Sequence, residues 1–223
     1  TFQQFIDLPS IDRQTQAFLR MLFSEKNLTS SMEVGFKGNP NIGSVVLNQI
    51  VQSDDFETFA NNFSQGDKIF IISSIFGGTG ASGFPLLLKT LRTGNSFPNF
   101  DNINKAEIGA ITILPYFKLK PDTDSEIDSS TFISKTKSAL AYYENNIINA
   151  LYYLADDIAN TYDNHEGGAA QQNAAHLIEF LAATAIVDFC GKEHPNTTSK
   201  ELGLKDISGN VTFSSFHEQQ RKE

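Results

Sequence analysis

The segment Phe76-Gly77-Gly78-Thr79-Gly80-Ala81-Ser82-Gly83-Phe84-Pro85 limits what this chain can fold into more than any other stretch. It follows Lys68–Ser73, whose core Ile69-Phe70-Ile71-Ile72 lacks polar alternation and so predicts a strand buried on both faces, as in a parallel sheet. It leads into an apolar stretch that predicts a helix from Ser82 to Leu91. Glycines at such a turn let the backbone adopt conformations closed to other residues and approach a ligand closely. The N–H groups at a helix start, at the positive end of its dipole, favour an anion. Four glycines within residues 77–83, beside the hydroxyls of Thr79 and Ser82, therefore predict a phosphate-binding loop. The plain alternative is a tight strand-to-helix turn with no ligand.

The remaining chain predicts the sheet to which this loop belongs. Ser10 caps an expected helix over residues 11–25, residues 27–41 read as irregular, and a helical pattern runs from Ile42 to Phe63 with a break near 53–55. Gln65-Gly66-Asp67 is a turn, and residues 94–104 read as loop. A second buried strand is expected at Ala106–Leu114 and a third at Ala150–Leu154. Between them lie an acidic linker, Asp122–Asp128, and a helix, Thr131–Ile147. A polar loop then leads to the longest expected helix, Gly168–Phe189, and a turn-rich tail holds a strand near Val211–Phe213. Strands alternating with helices predict an α/β protein with a Rossmann-like, mainly parallel sheet flanked by helices. The main domain is expected over residues 1–190, with 191–223 as a linker or the start of a second domain.

Composition narrows the partners. The formal net charge of −9, with no basic cluster, argues against nucleic acid. A nucleotide remains compatible, because backbone amides and a bound cation such as Mg²⁺ act at close range. A single cysteine, Cys190, precludes an intrachain disulfide, and no run approaches the length of a membrane span; together these lead to the expectation of a cytoplasmic protein without a membrane partner.

Three phosphate-loop patterns compete. A Walker loop requires a Gly-Lys-Ser/Thr ending, and no lysine is present here. Gly77, Gly80 and Gly83 have the spacing of a dinucleotide turn, as in a nicotinamide-dependent dehydrogenase. The Tyr116/Lys120 pair such an enzyme would place on a helix is bracketed by Pro115 and Pro121. The third pattern accounts for more of the chain. Gly77-Gly78-Thr79-Gly80 with Pro85, the upstream Asn39-Pro40-Asn41-Ile42-Gly43, and Thr112-Ile113-Leu114-Pro115-Tyr116-Phe117 occur in the order of the motifs of the tubulin/FtsZ family, which the region from about Gly35 to Phe189 resembles. Phe76, Ala81, Ser82 and Asn41 depart from the family's signatures.

The resemblance implies a tubulin/FtsZ-like nucleotide-binding domain with a long central helix, holding GTP or GDP. It implies that Gly77, Gly78, Thr79, Gly80, Ala81 and Ser82 cradle phosphates, that Asn39, Pro40 and Gly43 face the terminal phosphate, and that Asn173 on the central helix reads the guanine edge. It further implies head-to-tail self-association into cytoskeletal filaments. Nothing in residues 1–34 resembles the family's first glycine-rich loop, which implies a missing N-terminal part. Cys190-Gly191-Lys192-Glu193-His194-Pro195 stands where its Asn-x-Asp catalytic loop would be. A GTPase is thus implied only if that loop comes from a longer protein or a neighbouring subunit. A non-catalytic scaffold module is the alternative.

Other residues carry weaker signals. His176 and Glu179 are spaced to share one helix face, but two groups do not make a metal site. Cys190 and His194 form a conceivable catalytic pair, although a lone cysteine more often packs as a small apolar residue. Asp156 and Asp157 follow an expected strand, where they would either meet a ribose or a metal or simply form a polar strand end. Tyr142, Tyr143, Tyr152 and Tyr153 read as packing residues.

Overall fold

The computed structural model describes residues 1–97, 100–120, 129–143, 148–155, 161–163, 165, 174–194, 201–202, 204–205 and 211–212. Five helices precede the first strand: α1 (Phe2–Phe5), α2 (Arg13–Leu22), α3 (Glu25–Thr29), α4 (Pro40–Leu47) and α5 (Asp54–Asn62). The helix expected over 11–25 ends at Leu22, and the Ser24 side chain caps α3, which runs on into the stretch expected to be irregular from residue 27. Helix α4 starts at Pro40, where the fixed proline φ and absent N–H suit a first turn. The expected break before α5 is present, and the Ser53 hydroxyl accepts from Phe56 N–H to cap that helix.

Next come β1 (Ile69–Ser74), α6 (Thr79–Thr93), α7 (Phe100–Lys105), β2 (Ile108–Ile113), β3 (Lys118–Leu119), α8 (Phe132–Tyr143) and β4 (Ala150–Leu154). They are followed by β5 (Thr161–Tyr162), α9 (Leu177–Cys190), β6 (Glu201–Leu202), β7 (Leu204–Lys205) and β8 (Val211–Thr212). The expected loop at 94–104 is half wrong. Phe100 and Ile103, one turn apart, bury themselves and hold α7 in helical form.

The principal sheet is entirely parallel, in the order β1-β2-β4-β6. Strand β6, beyond the boundary drawn at residue 190, pairs with β4. Two small two-stranded sheets accompany it, β3 with β5 and β7 with β8.

Alternation along the strands sends side chains to two faces. On one face Ile71, Ile108, Ala110 and Leu151 pack with Phe84, Leu88 and Leu91 of α6 and Phe56 of α5. On the other, Ile111 packs with Ala182 and Ala185 of α9, flanked by Phe70, Tyr152 and Leu154. Helices thus flank a small parallel sheet on both faces. Gly109 is required under α9, because a β-carbon there would lie 2.7–2.8 Å from the rings of Phe70 and Phe189. A separate apolar cluster of Phe2, Leu8, Phe23, Leu28, Phe36 and Ile42 anchors the N-terminal helices.

The long helix expected from Gly168 is shorter. Residues 174–176 are not helical, and α9 begins at Leu177, making α6, at 15 residues, longer than α9 at 14. His176 supplies the reason: its backbone is extended and its Nδ1 accepts Ile178 N–H at 3.1 Å, so it caps the helix instead of continuing it. His176 and Glu179 therefore do not share a helix face. No helix among the described residues is long and apolar enough to cross a membrane.

Candidate functional site

The glycine loop lies at the carboxyl end of β1, the edge at which open α/β sheets bind ligands. Gly78 occupies the cap position of α6, and among the described residues no side chain caps the first-turn amides there. Those amides have no partner within the helix itself. Gly80 is sterically obligatory and Gly77 is closely approached. A β-carbon on Gly80 would stand 2.6 Å from Ser74 O and 2.9 Å from Ser74 N, both backbone atoms that cannot rotate away. One on Gly77 would stand 2.9 Å from Ser74 Oγ. The Ser74 hydroxyl therefore sits inside the curl of the loop. Nothing in the sequence singled it out, because a serine closing a strand looks ordinary until the loop is folded over it.

The Asn-Pro segment is brought to the same place. A β-carbon on Gly78 would meet Asn39 N at 2.9 Å and Gly38 N at 3.0 Å, and one on Gly35 would meet Thr79 Oγ1 at 2.9 Å. Gly35, Lys37 and Gly38 all have positive φ, which folds this loop tightly enough to lie on the start of α6. Behind it α4 packs against α6 through small residues. A β-carbon on Gly43 would fall 2.1 Å from Ser82 Oγ, and one on Gly83 would meet Leu47 Cδ1 at 3.1 Å.

Asn39, Pro40, Gly43 and Gly77–Ser82, separate in sequence, thus form one constellation. Their roles divide within it. Thr79 is exposed at the helix start, whereas Ser82 is buried and its hydroxyl donates back to Gly78 O at 2.7 Å. In this geometry Ser82 and Gly43 serve the helix contact and do not face solvent. Pro85 lies inside α6, and its missing N–H leaves Ala81 O without its usual helical donor.

Beside the loop stands an aromatic wall. Phe76 packs on Phe132 of α8 at 4.7 Å between ring centroids and on Phe117 at 5.8 Å. Tyr116 packs edge-on against Phe117 at 4.9 Å and tilted against His176 at 4.7 Å between ring centroids. Burial pushes the Tyr116 hydroxyl above its ordinary pKa, and the nearby Glu179 and Tyr162 add to the effect. Tyr116 and Lys120 are not on a helix, and Lys120 turns away to pair with Asp163 at 2.7 Å. Asn173, Asp156 and Asp157 lie outside the described residues.

A second polar cluster closes the opposite, amino end of the sheet. Asn149 Oδ1 accepts from Arg92 Nη2 at 2.6 Å and from Ile108 N–H at 2.8 Å, while Asn149 Nδ2 donates to His194 O at 3.1 Å. Arg92 Nη1 also donates to Asn104 O and Ala106 O, joining α6 to the entry of β2. Glu107 accepts from His194 N–H at 3.0 Å and pairs with Lys68 at 2.8 Å. His194 is buried and stacks on Phe189 at 4.6 Å, while Cys190 is exposed. The Cys190/His194 pair thus belongs to the end of the sheet remote from the glycine loop.

Among the tyrosines, Tyr152 donates to Asp188 Oδ2 at 2.8 Å and packs on Phe70. Burial and the Asp188 carboxylate raise its pKa.

Compared with models of protein families, with curated proteins and with solved structures, the chain finds no match.

Proposed function

We propose that this chain is a tubulin/FtsZ-like nucleotide-binding domain that holds a guanine nucleotide at the carboxyl end of its parallel sheet. The observation carrying this reading is the convergence of the two glycine-containing loops, Gly35–Gly43 and Gly77–Ser82, at the start of α6, which has a glycine at its cap. Backbone amides there suit the inner phosphates. Asn39 and Gly38 stand where a terminal phosphate would be sensed, and the Tyr116/Phe117 wall offers a surface for a base. Asn173 reads the guanine edge in this scheme, since an amide both donates and accepts. Head-to-tail association, with hydrolysis completed by a loop from a neighbour, extends the same reading.

Calorimetry with GTP, GDP, ATP and NAD, each with and without magnesium, tests it. The expected result is guanine-selective binding that disappears in Gly80→Val. Equal affinity for GTP and ATP would defeat the guanine assignment, and dinucleotide binding alone would replace it with an oxidoreductase.

A second reading, a scaffold module that keeps the fold without turnover, is favoured by one observation. Gly78 is buried, and the backbone of Gly38 and Asn39 lies directly on it. Full-length protein that assembles with no nucleotide bound would establish that reading.

A further inference from the structure

The glycine loop and its flanks carry no cation of their own: from Ile69 to Leu88 no lysine or arginine occurs, and the whole chain is acidic. A polyphosphate carries several negative charges, and backbone amides alone compensate them only in part. Besides Lys37 in the Gly35–Gly43 loop, the structure brings a cation to this place from elsewhere in the chain. Lys135 of α8 donates from Nζ to Gly38 O at 2.8 Å, bridging 97 residues of sequence. Gly38 is the residue whose backbone N lies 3.0 Å from the β-carbon position of Gly78. The Lys135 ammonium thus stands at the seam between the two loops.

Its placement follows from the packing of α8. Phe132 is buried against Phe76, the first residue of the glycine loop, and Lys135 lies three residues on, on the same helix face. Thr136, next to it, is buried with its hydroxyl donating to Phe132 O at 2.8 Å. The inward face of α8 is therefore fixed on the loop by an aromatic ring, and a half-buried lysine extends from it over Gly38.

We propose that Lys135 is the cationic ligand of the terminal phosphate at this site, and that nucleotide binding transfers one of its N–H donors from Gly38 O to a phosphate oxygen. The proposal rests on the nucleotide reading above. The Lys135 charge distinguishes a triphosphate from a diphosphate, because it lies over the Gly38–Asn39 side of the cradle and not within the helix-start amides.

The test is calorimetric titration of wild type, Lys135→Met, Lys135→Gln and Lys135→Arg with GTP and GDP, in low and high salt. Thermal melts establish that each variant is folded. A charge-assisted hydrogen bond corresponds to a loss on the order of 10- to 100-fold in affinity. That loss is expected for GTP in both Met and Gln variants, with GDP changed less than about 3-fold and Arg close to wild type. The Gln variant can still donate to Gly38 O, so it separates charge from tethering. Equal losses for GTP and GDP, or recovery in Gln, would make Lys135 a loop tether and overturn the proposal while leaving nucleotide binding intact. Wild type that binds neither nucleotide would overturn the nucleotide reading and this proposal with it.

Discussion

The two ends of the sheet are built on opposite plans. At the amino end, side chains from α6, the entries of β2 and β4, and the segment after α9 are tied through Asn149, Arg92, Glu107 and His194. At the carboxyl end the start of α6 has no side-chain cap, the loop is glycine, and Ser74 lies in its curl. Just beneath, Ser73 and Thr112 stand opposite each other in register, and both hydroxyls are buried without a hydrogen-bond partner among the described residues. One end ties strands and helices together through side-chain hydrogen bonds; the other is built from glycine and backbone, with two buried hydroxyls beneath it. Stability and binding should therefore respond to mutation at different ends.

The largest expected effect is at the tied end. Asn149→Ala removes an acceptor shared by Arg92 and Ile108 N–H and a donor to His194 O. Each buried group left short of a partner costs about 1–3 kcal/mol, so a total near 4 kcal/mol is expected. In a chain of this size that is a fall of roughly 10 °C in Tm, readable by calorimetric or circular-dichroism melts. Nucleotide affinity of the folded fraction should be unchanged; a parallel loss of binding would break the separation of the two ends.

Gly80→Ala tests the open end. Its β-carbon meets the Ser74 backbone, and overpacking of that kind costs about 1–3 kcal/mol. Here the binding loss measured by titration should exceed what the melt explains. A variant that melts early but binds normally would show that the loop is only a turn.

Thr112→Val should act in the opposite direction. Replacing an unpartnered buried hydroxyl by a methyl of similar shape removes a desolvation penalty, and a gain of about 1 kcal/mol is expected in chemical denaturation. A loss instead would mean that the Thr112 hydroxyl is satisfied in solution.

The smallest effect is electrostatic. Burial raises the Glu107 carboxyl pKa, but the hydrogen bonds from Lys68 and His194 N–H and the Lys68 charge outweigh it and leave the pKa below the ordinary glutamate value. A depressed folded-state pKa contributes stability above the unfolded value of 4.5, which is lost as pH falls through the folded pKa. Glu107→Gln should therefore flatten the acid limb of a stability–pH profile below about pH 4.5 and leave its slope near neutrality unchanged.

The sequence was informative where short-range rules apply. The lack of polar alternation in Ile69-Phe70-Ile71-Ile72 and in Ala106–Leu114 announced buried parallel strands, and four close-set glycines announced the loop. Long-range choices were hidden. Residues 94–104, rich in Asn, read as loop until Phe100 and Ile103 found a core to enter. His176 read as helical because its capping role depends on backbone geometry that alanine-rich surroundings conceal. Ser82 read as a ligand donor because nothing local reveals that Gly43 lies against it. Lys135, nearly a hundred residues from Gly38, was not legible at all.

The lone exposed cysteine has a practical consequence. Cys190 ends α9, beside the Lys192–Asp188 pair, and the chain contains no tryptophan. A thiol-reactive dye would attach at one position, on the helix that carries Phe189 against the sheet and far from the glycine loop. A tryptophan introduced at Tyr116 would be the only indole in the molecule. One native label and one substitution would thus equip the protein for energy-transfer measurements between its two ends, with no residue removed first.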